Sequence, residues 1–181
     1  MADRERDVAV RLATVDDADA ITRVHVGTWQ VAYRGQLPDA YLDRLSGEIP
    51  QRAEWRRGAL AQPRDPAQRT FVAERDGEVV GFVSSGPSDA DATRGEVYAI
   101  YVDPAAWSTG AGRALMDGAV AELAALGFAD AVLWVLESNA RARRFYARCG
   151  WIADGATKVD TRGEVVLREV RYARSLTAPP T

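Results

Sequence analysis

The chain has 181 residues, 47% of them apolar, and a formal net charge of −3. That length suits one domain, and the mild acidity argues against a nucleic-acid coat or a membrane-surface binder, both of which need a basic face. One cysteine, Cys149, rules out a disulfide within the chain, and with a single histidine, His25, it leaves no material for a Cys/His zinc site, so no metal is expected. The opening "MADRERDVAV" lacks the apolar core of a signal peptide, and no segment approaches the roughly 18 apolar residues of a spanning helix, so a cytoplasmic protein is expected. The domain is expected over 8–174, between a tail at 1–7 and a frayed tail at 175–181.

"VAVRLA" (8–13) alternates as a strand. Thr14 and Asp17 resemble a helix-start pair, and Ala18, Ile21, Val24 and His25 fall at helical spacing, predicting a helix over about 15–32. Gly35 and Pro38 interrupt the chain before a short helix, and "IPQRAEWRRGALAQ" predicts another, with Pro50 near its start. "TFVAERDGEVVGFVSSG" reads as a hairpin about Asp76-Gly77. Strand 96–102, helix 112–126 and strand 130–136 make a β-α-β unit whose strands should run parallel. "SNARARRFYARCG" predicts a helix ending at Gly150, and "WIADGATKV" and "EVVLREVRYAR" two closing strands. The expected class is α/β (α+β): one mixed sheet flanked by helices.

The stretch "YVDPAAWSTGAGRAL" places small residues, Ser108, Thr109, Gly110, Ala111 and Gly112, where a strand gives way to a helix. A helix start offers unpaired N–H groups and partial positive charge, so such a turn can seat a phosphate. It can equally be a plain turn in which glycine relieves backbone strain. Two phosphate motifs fail: the dinucleotide fingerprint needs a third glycine where Leu115 stands, and the P-loop needs a Gly-Lys pair that is absent.

These residues resemble the acyl-CoA-binding motif of the GNAT superfamily of N-acetyltransferases, Gln/Arg-x-x-Gly-x-Gly/Ala. Gly110 and Gly112 match its glycines, and Val102 with Pro104 its approach. "NARARRFYARCGW" is similar to the downstream motif, with Asn139, Phe145, Tyr146, Gly150 and Trp151 in register. The resemblance covers about 8–174 and implies a six- to seven-stranded, mostly antiparallel sheet with a parallel core at 96–136. Trp107 is a departure, standing where Gln or Arg is usual, and on that ground Trp107→Arg is expected to tighten coenzyme A binding.

The resemblance implies transfer of an acetyl group from acetyl-CoA to an amine, on a small molecule or a peptide or protein, by direct attack in a ternary complex. An alkyl amine of pKa near ~10.4 must lose a proton, and a thiolate of pKa about 8.5 must be able to leave. Glu96 is the candidate base, with ordered water as the alternative, and Tyr146 the candidate acid. The cofactor contacts are expected from Tyr101, Val102, Trp107, Ser108, Thr109, Gly110, Ala111, Gly112, Arg113, Asn139 and Tyr146. Asn139 could instead cap its helix. His25, Trp29 and Tyr33 are candidate acceptor-site residues, each also readable as core, and Cys149 reads as a packed thiol. A non-catalytic acyl-CoA sensor and a nucleotide-binding domain are the alternatives, and a homodimer is plausible by family habit.

Overall fold

The computed structural model describes residues 8–162 and 165–177, so the expected tail at 1–7 and the last four residues lie outside the described residues. The described chain forms one seven-stranded sheet in the order β1-β2-β3-β4-β5-β7-β6. The strands are β1 (Ala9–Leu12), β2 (Arg69–Arg75), β3 (Glu78–Pro87), β4 (Gly95–Val102), β5 (Asp130–Leu136), β6 (Ile152–Arg162) and β7 (Val165–Ser175). The helices are α1 (Ala18–Ala32), α2 (Asp39–Arg44), α3 (Ile49–Ala61), α4 (Ala111–Ala125) and α5 (Ala140–Arg148). The predicted first helix begins with a 3₁₀ turn, Val15–Asp17, and the last strand runs one residue into the expected tail. β7 lies between β5 and β6, an insertion that strand spacing cannot foretell.

Local sequence explains most of these boundaries. Asp76 (φ 55°) and Gly77 (φ 81°) both take the left-handed conformation that a two-residue hairpin turn with the sheet's twist demands. On α4, Leu115, Ala119 and Leu123 recur every four residues and, with Met116, are fully buried against the sheet. Trp151 is the largest fully buried side chain and joins the same core.

β4 and β5 are parallel, but only Gly95, Glu96 and Val97 pair, with Ala131, Val132 and Leu133. The cause lies on the other side of β4. Its pairing with β3 jumps from Ser84↔Ala99 to Ser85↔Val97, leaving Tyr98 as an extra residue. Such a bulge bends and twists the strand. Before it, Val97 faces the core under α4; beyond it, Ile100 and Val102 take that face while Ala99 and Tyr101 turn toward α1. The strands therefore part just where their side chains change sides.

An ion cluster ties β1 to the first turn and β2. Arg11 makes two bonds of 2.8 Å to the Asp17 carboxylate and one of 2.6 Å to Glu74. The Arg11 guanidinium holds the Asp17 carboxyl at about 2, below its ordinary 3.8. Because the folded value lies below the unfolded one, the stabilisation is present above pH ~4 and is lost as pH falls toward ~2. Urea midpoints measured across that window should fall more steeply for this protein than for Asp17→Asn.

Candidate active site

Where β4 and β5 part, a cavity of about 590 Å³ opens. Tyr98 to Val102 of β4 form one wall and Trp134 to Leu136 of β5 the other, with α1, the 107–113 turn and α5 around the rim. Beyond Val97 the facing strand edges lack each other as partners, so backbone N–H and C=O groups border the cleft. An extended ligand carrying amides fits such an edge.

At the mouth, Gly110 caps α4 with φ 93° and no side-chain hydrogen bond, and Ser108 is also left-handed at φ 65°. Left-handed residues so close to a helix start make a turn that can favour an anion. Arg141, Arg144 and Arg148 of α5 reach the same cavity. Burial, then the nearby Arg144 charge, lowers the Arg141 pKa below its ordinary value. Cations held close together suit a polyanion. The cradle, the cations and the strand edge together fit a coenzyme A diphosphate and its amide-bearing arm.

The predicted cofactor residues divide. Tyr101, Val102, Trp107, Ser108, Gly110, Gly112, Arg113, Asn139 and Tyr146 line the cleft. Thr109 and Ala111 do not: the Thr109 hydroxyl donates to the Ala106 carbonyl at 2.8 Å, and Ala111 is buried in the core. Arg113 is tied to Asp117 by bonds of 2.8 and 2.9 Å, which blunts its charge. Asn139 does cap α5, accepting from the Ala142 N–H at 3.0 Å.

Trp107 proves to be a strut. Its indole N–H donates to the Val102 carbonyl at 2.8 Å, and the Arg141 guanidinium lies 3.6 Å from its ring centroid. The cation usual at this motif position is thus supplied from α5 and carried on the indole. The expectation for Trp107→Arg reverses: two guanidiniums would be crowded and the bond to Val102 lost, so coenzyme A binding should weaken about fivefold by calorimetry.

Three tyrosines, Tyr33, Tyr101 and Tyr146, also line the cleft. Burial raises the Tyr33 phenol well above its ordinary value, the neighbouring Tyr101 and Tyr146 adding to the shift. Burial likewise raises Tyr146, with Tyr101 contributing. At neutral pH these groups are phenols, able to donate a proton and poor at accepting one.

Of the acceptor candidates, Trp29 and Tyr33 line the cleft, whereas His25 sits behind it, stacked on Tyr101 at 4.6 Å with its Nδ1 3.1 Å from an Arg56 nitrogen. Glu96 is also outside the lining residues. It lies where β4 and β5 still pair, and its carboxylate accepts the Ser88 hydroxyl at 2.7 Å. Burial raises the Cys149 thiol, in keeping with a packed residue.

The α5 arginines escaped the sequence reading, although 141, 144 and 148 follow i, i+3, i+7 spacing and so share a helix face. Trp134 and Glu169, also on the cavity wall, carried no local signal. Among the described residues, no cluster of His, Cys, Asp or Glu could hold a metal, and no helix is long and apolar enough to cross a membrane.

The sequence profile of the Acetyltransferase (GNAT) family matches residues 29–151. The chain belongs to that family. The uncharacterized N-acetyltransferase YuaI of Bacillus subtilis is 35% identical over 135 residues, 73% of each chain. The mycothiol acetyltransferase of Thermobispora bispora is 41% identical over 97 residues, 50% of this chain and 32% of that protein, so this chain spans about a third of it. The PaiA N-acetyltransferase of Thermoplasma acidophilum, solved in complex with coenzyme A, superposes with a TM-score of 0.73 over 93% of this chain and 99% of its own, at 17% identity. This GNAT chain is accordingly an acyl-CoA-dependent N-acetyltransferase, with a mixed sheet flanked by helices like that of its structural neighbours.

Proposed function

We propose that this GNAT domain, over residues 8–174, moves an acetyl group from acetyl-CoA to a primary amine by direct attack in a ternary complex. The observation that carries this reading is the parting of β4 and β5 beyond Val97, with a glycine-capped helix start, three arginines and three tyrosines lining the same gap. The bound donor supplies an activated thioester. Backbone amides at 108–113 and Arg141, Arg144 and Arg148 hold its phosphates, while the free edges of β4 and β5 align its arm.

Tyr146 donates to the departing sulfur, a role its raised pKa suits because the hydroxyl stays protonated. The amine's proton passes to water entering the cleft. Glu96, engaged by Ser88 and away from the cavity wall, acts by holding the 88–96 connection. The acceptor enters from the α1 side, against Trp29, Tyr33 and Trp134. A reducing cytoplasm is the matching compartment for a chain with one buried, unpaired thiol.

Thiol release from acetyl-CoA with a panel of alkyl, aryl and peptide amines tests this reading. Amine-dependent release supports it; calorimetric binding of acetyl-CoA without release for any amine would leave a binding domain instead.

A further inference from the structure

The protein has one lysine among its 23 basic residues: Lys158. On β6 it stands opposite Glu169 of β7, and its ammonium lies 3.2 Å from the Glu169 carboxylate and 4.4 Å from the Trp134 ring centroid. Both partners belong to the cleft wall where the acceptor amine is proposed to enter. The second cation near that ring, Arg171, is bound to Asp154 at 2.8 Å. Its guanidinium is always charged and cannot act as an amine nucleophile near neutral pH. Lys158 is half-exposed on the sheet's edge strand, at the end of a flexible four-carbon stem.

We infer that Lys158 is a site of intramolecular acetylation, its side chain entering the cleft as the acceptor in place of a free amine. The inference rests on the acetyl-CoA-dependent reading above. Carboxylate and indole hold the ammonium at the cleft wall, which shortens the search that a free amine must make. Lys158 then loses one proton to water, forms an N–C bond to the acetyl carbonyl carbon as the C–S bond breaks, and gives its second proton to the departing sulfur. The products are Nε-acetyllysine and coenzyme A thiol, with no change of oxidation state. The modification removes the charge paired with Glu169 and leaves that carboxylate facing the cleft, where it attracts a cationic acceptor.

The test incubates the full chain with acetyl-CoA and reads intact mass and a tryptic map. One acetyl group per chain is expected, at Lys158, where trypsin should no longer cut. The Lys158→Arg chain, which keeps the charge and the contact with Trp134, should show no acetyl in that peptide. The first-order rate constant should be independent of protein concentration, and a tenfold excess of free coenzyme A should slow the reaction about tenfold. Lys158 left unmodified, a first-order rate constant that rises in proportion to protein concentration, or modification indifferent to coenzyme A would overturn the inference. Calorimetry and free-amine turnover on the same sample separate the failures: binding and turnover with Lys158 untouched reject self-acetylation alone, whereas absent binding rejects both readings.

Discussion

Replacing Tyr146 by Phe should lower amine-dependent turnover of acetyl-CoA about 10²-fold while leaving coenzyme A affinity within about twofold. The ring packs in the core cluster with Cys149, Trp151 and Tyr172, so Phe keeps the volume and the fold. What is lost is one buried hydroxyl in the cleft that Tyr33, Tyr101 and Asn139 also line. Because burial raises its pKa above the ordinary 10, the phenol stays protonated through any practical assay range. The acid form is the active one, so no alkaline loss of activity should come from this group below about pH 10. Steady-state thiol release gives the magnitude and calorimetry the affinity. Near-normal turnover in the variant would remove Tyr146 from the acid role.

The second large effect is expected at Gly110. Gly110→Val should weaken acetyl-CoA binding by about tenfold or more, with a smaller loss of fold stability of roughly 1–2 kcal/mol. At φ 93° a β-branched residue is strained, and relieving that strain must rotate the turn whose amides are proposed to seat the phosphates. No atom lies within 4 Å of where its side chain would begin, so packing is not the obstacle. Gly112 differs: a methyl there would meet Phe145 at 3.4 Å, an ordinary contact, with helical backbone. The first of the motif's glycines is thus required by its conformation, whereas the second leaves room for a methyl beside Phe145. Affinity by calorimetry, compared with the urea midpoint of the same variant, tells seat distortion from unfolding. Unchanged affinity would mean the phosphates are held elsewhere.

Elements with a strong period or a sharp punctuation mark were legible without coordinates. The α4 stripe of Leu115, Ala119 and Leu123, the Asp76-Gly77 hairpin and the parallel pair around α4 are all local patterns, set by side-chain period and backbone freedom. The glycine turn and Tyr146 were legible for the same reason, as short motifs in fixed register with a helix. Glu96 shows what that method leaves open. Its position along β4 is right for reaching a cleft, but the strands separate only after Val97, so a carboxylate one residue earlier lies among paired strands and bonds to Ser88.

Trp107 shows the limit from the other side. As a lone letter it reads as a missing cation; in space it carries Arg141, which arrives from a helix more than thirty positions later. Lys158, Glu169 and Trp134 meet because β7 inserts between β5 and β6, an order that no spacing along the chain encodes. Period, turn chemistry and motif register are properties of neighbouring residues, and those reached the right elements and the glycine-capped start of α4. The width of the cleft, its cations and its Trp134 wall depend on one bulge and one strand order, where distant segments compete for the same core, and so they emerge only when the whole sheet is assembled.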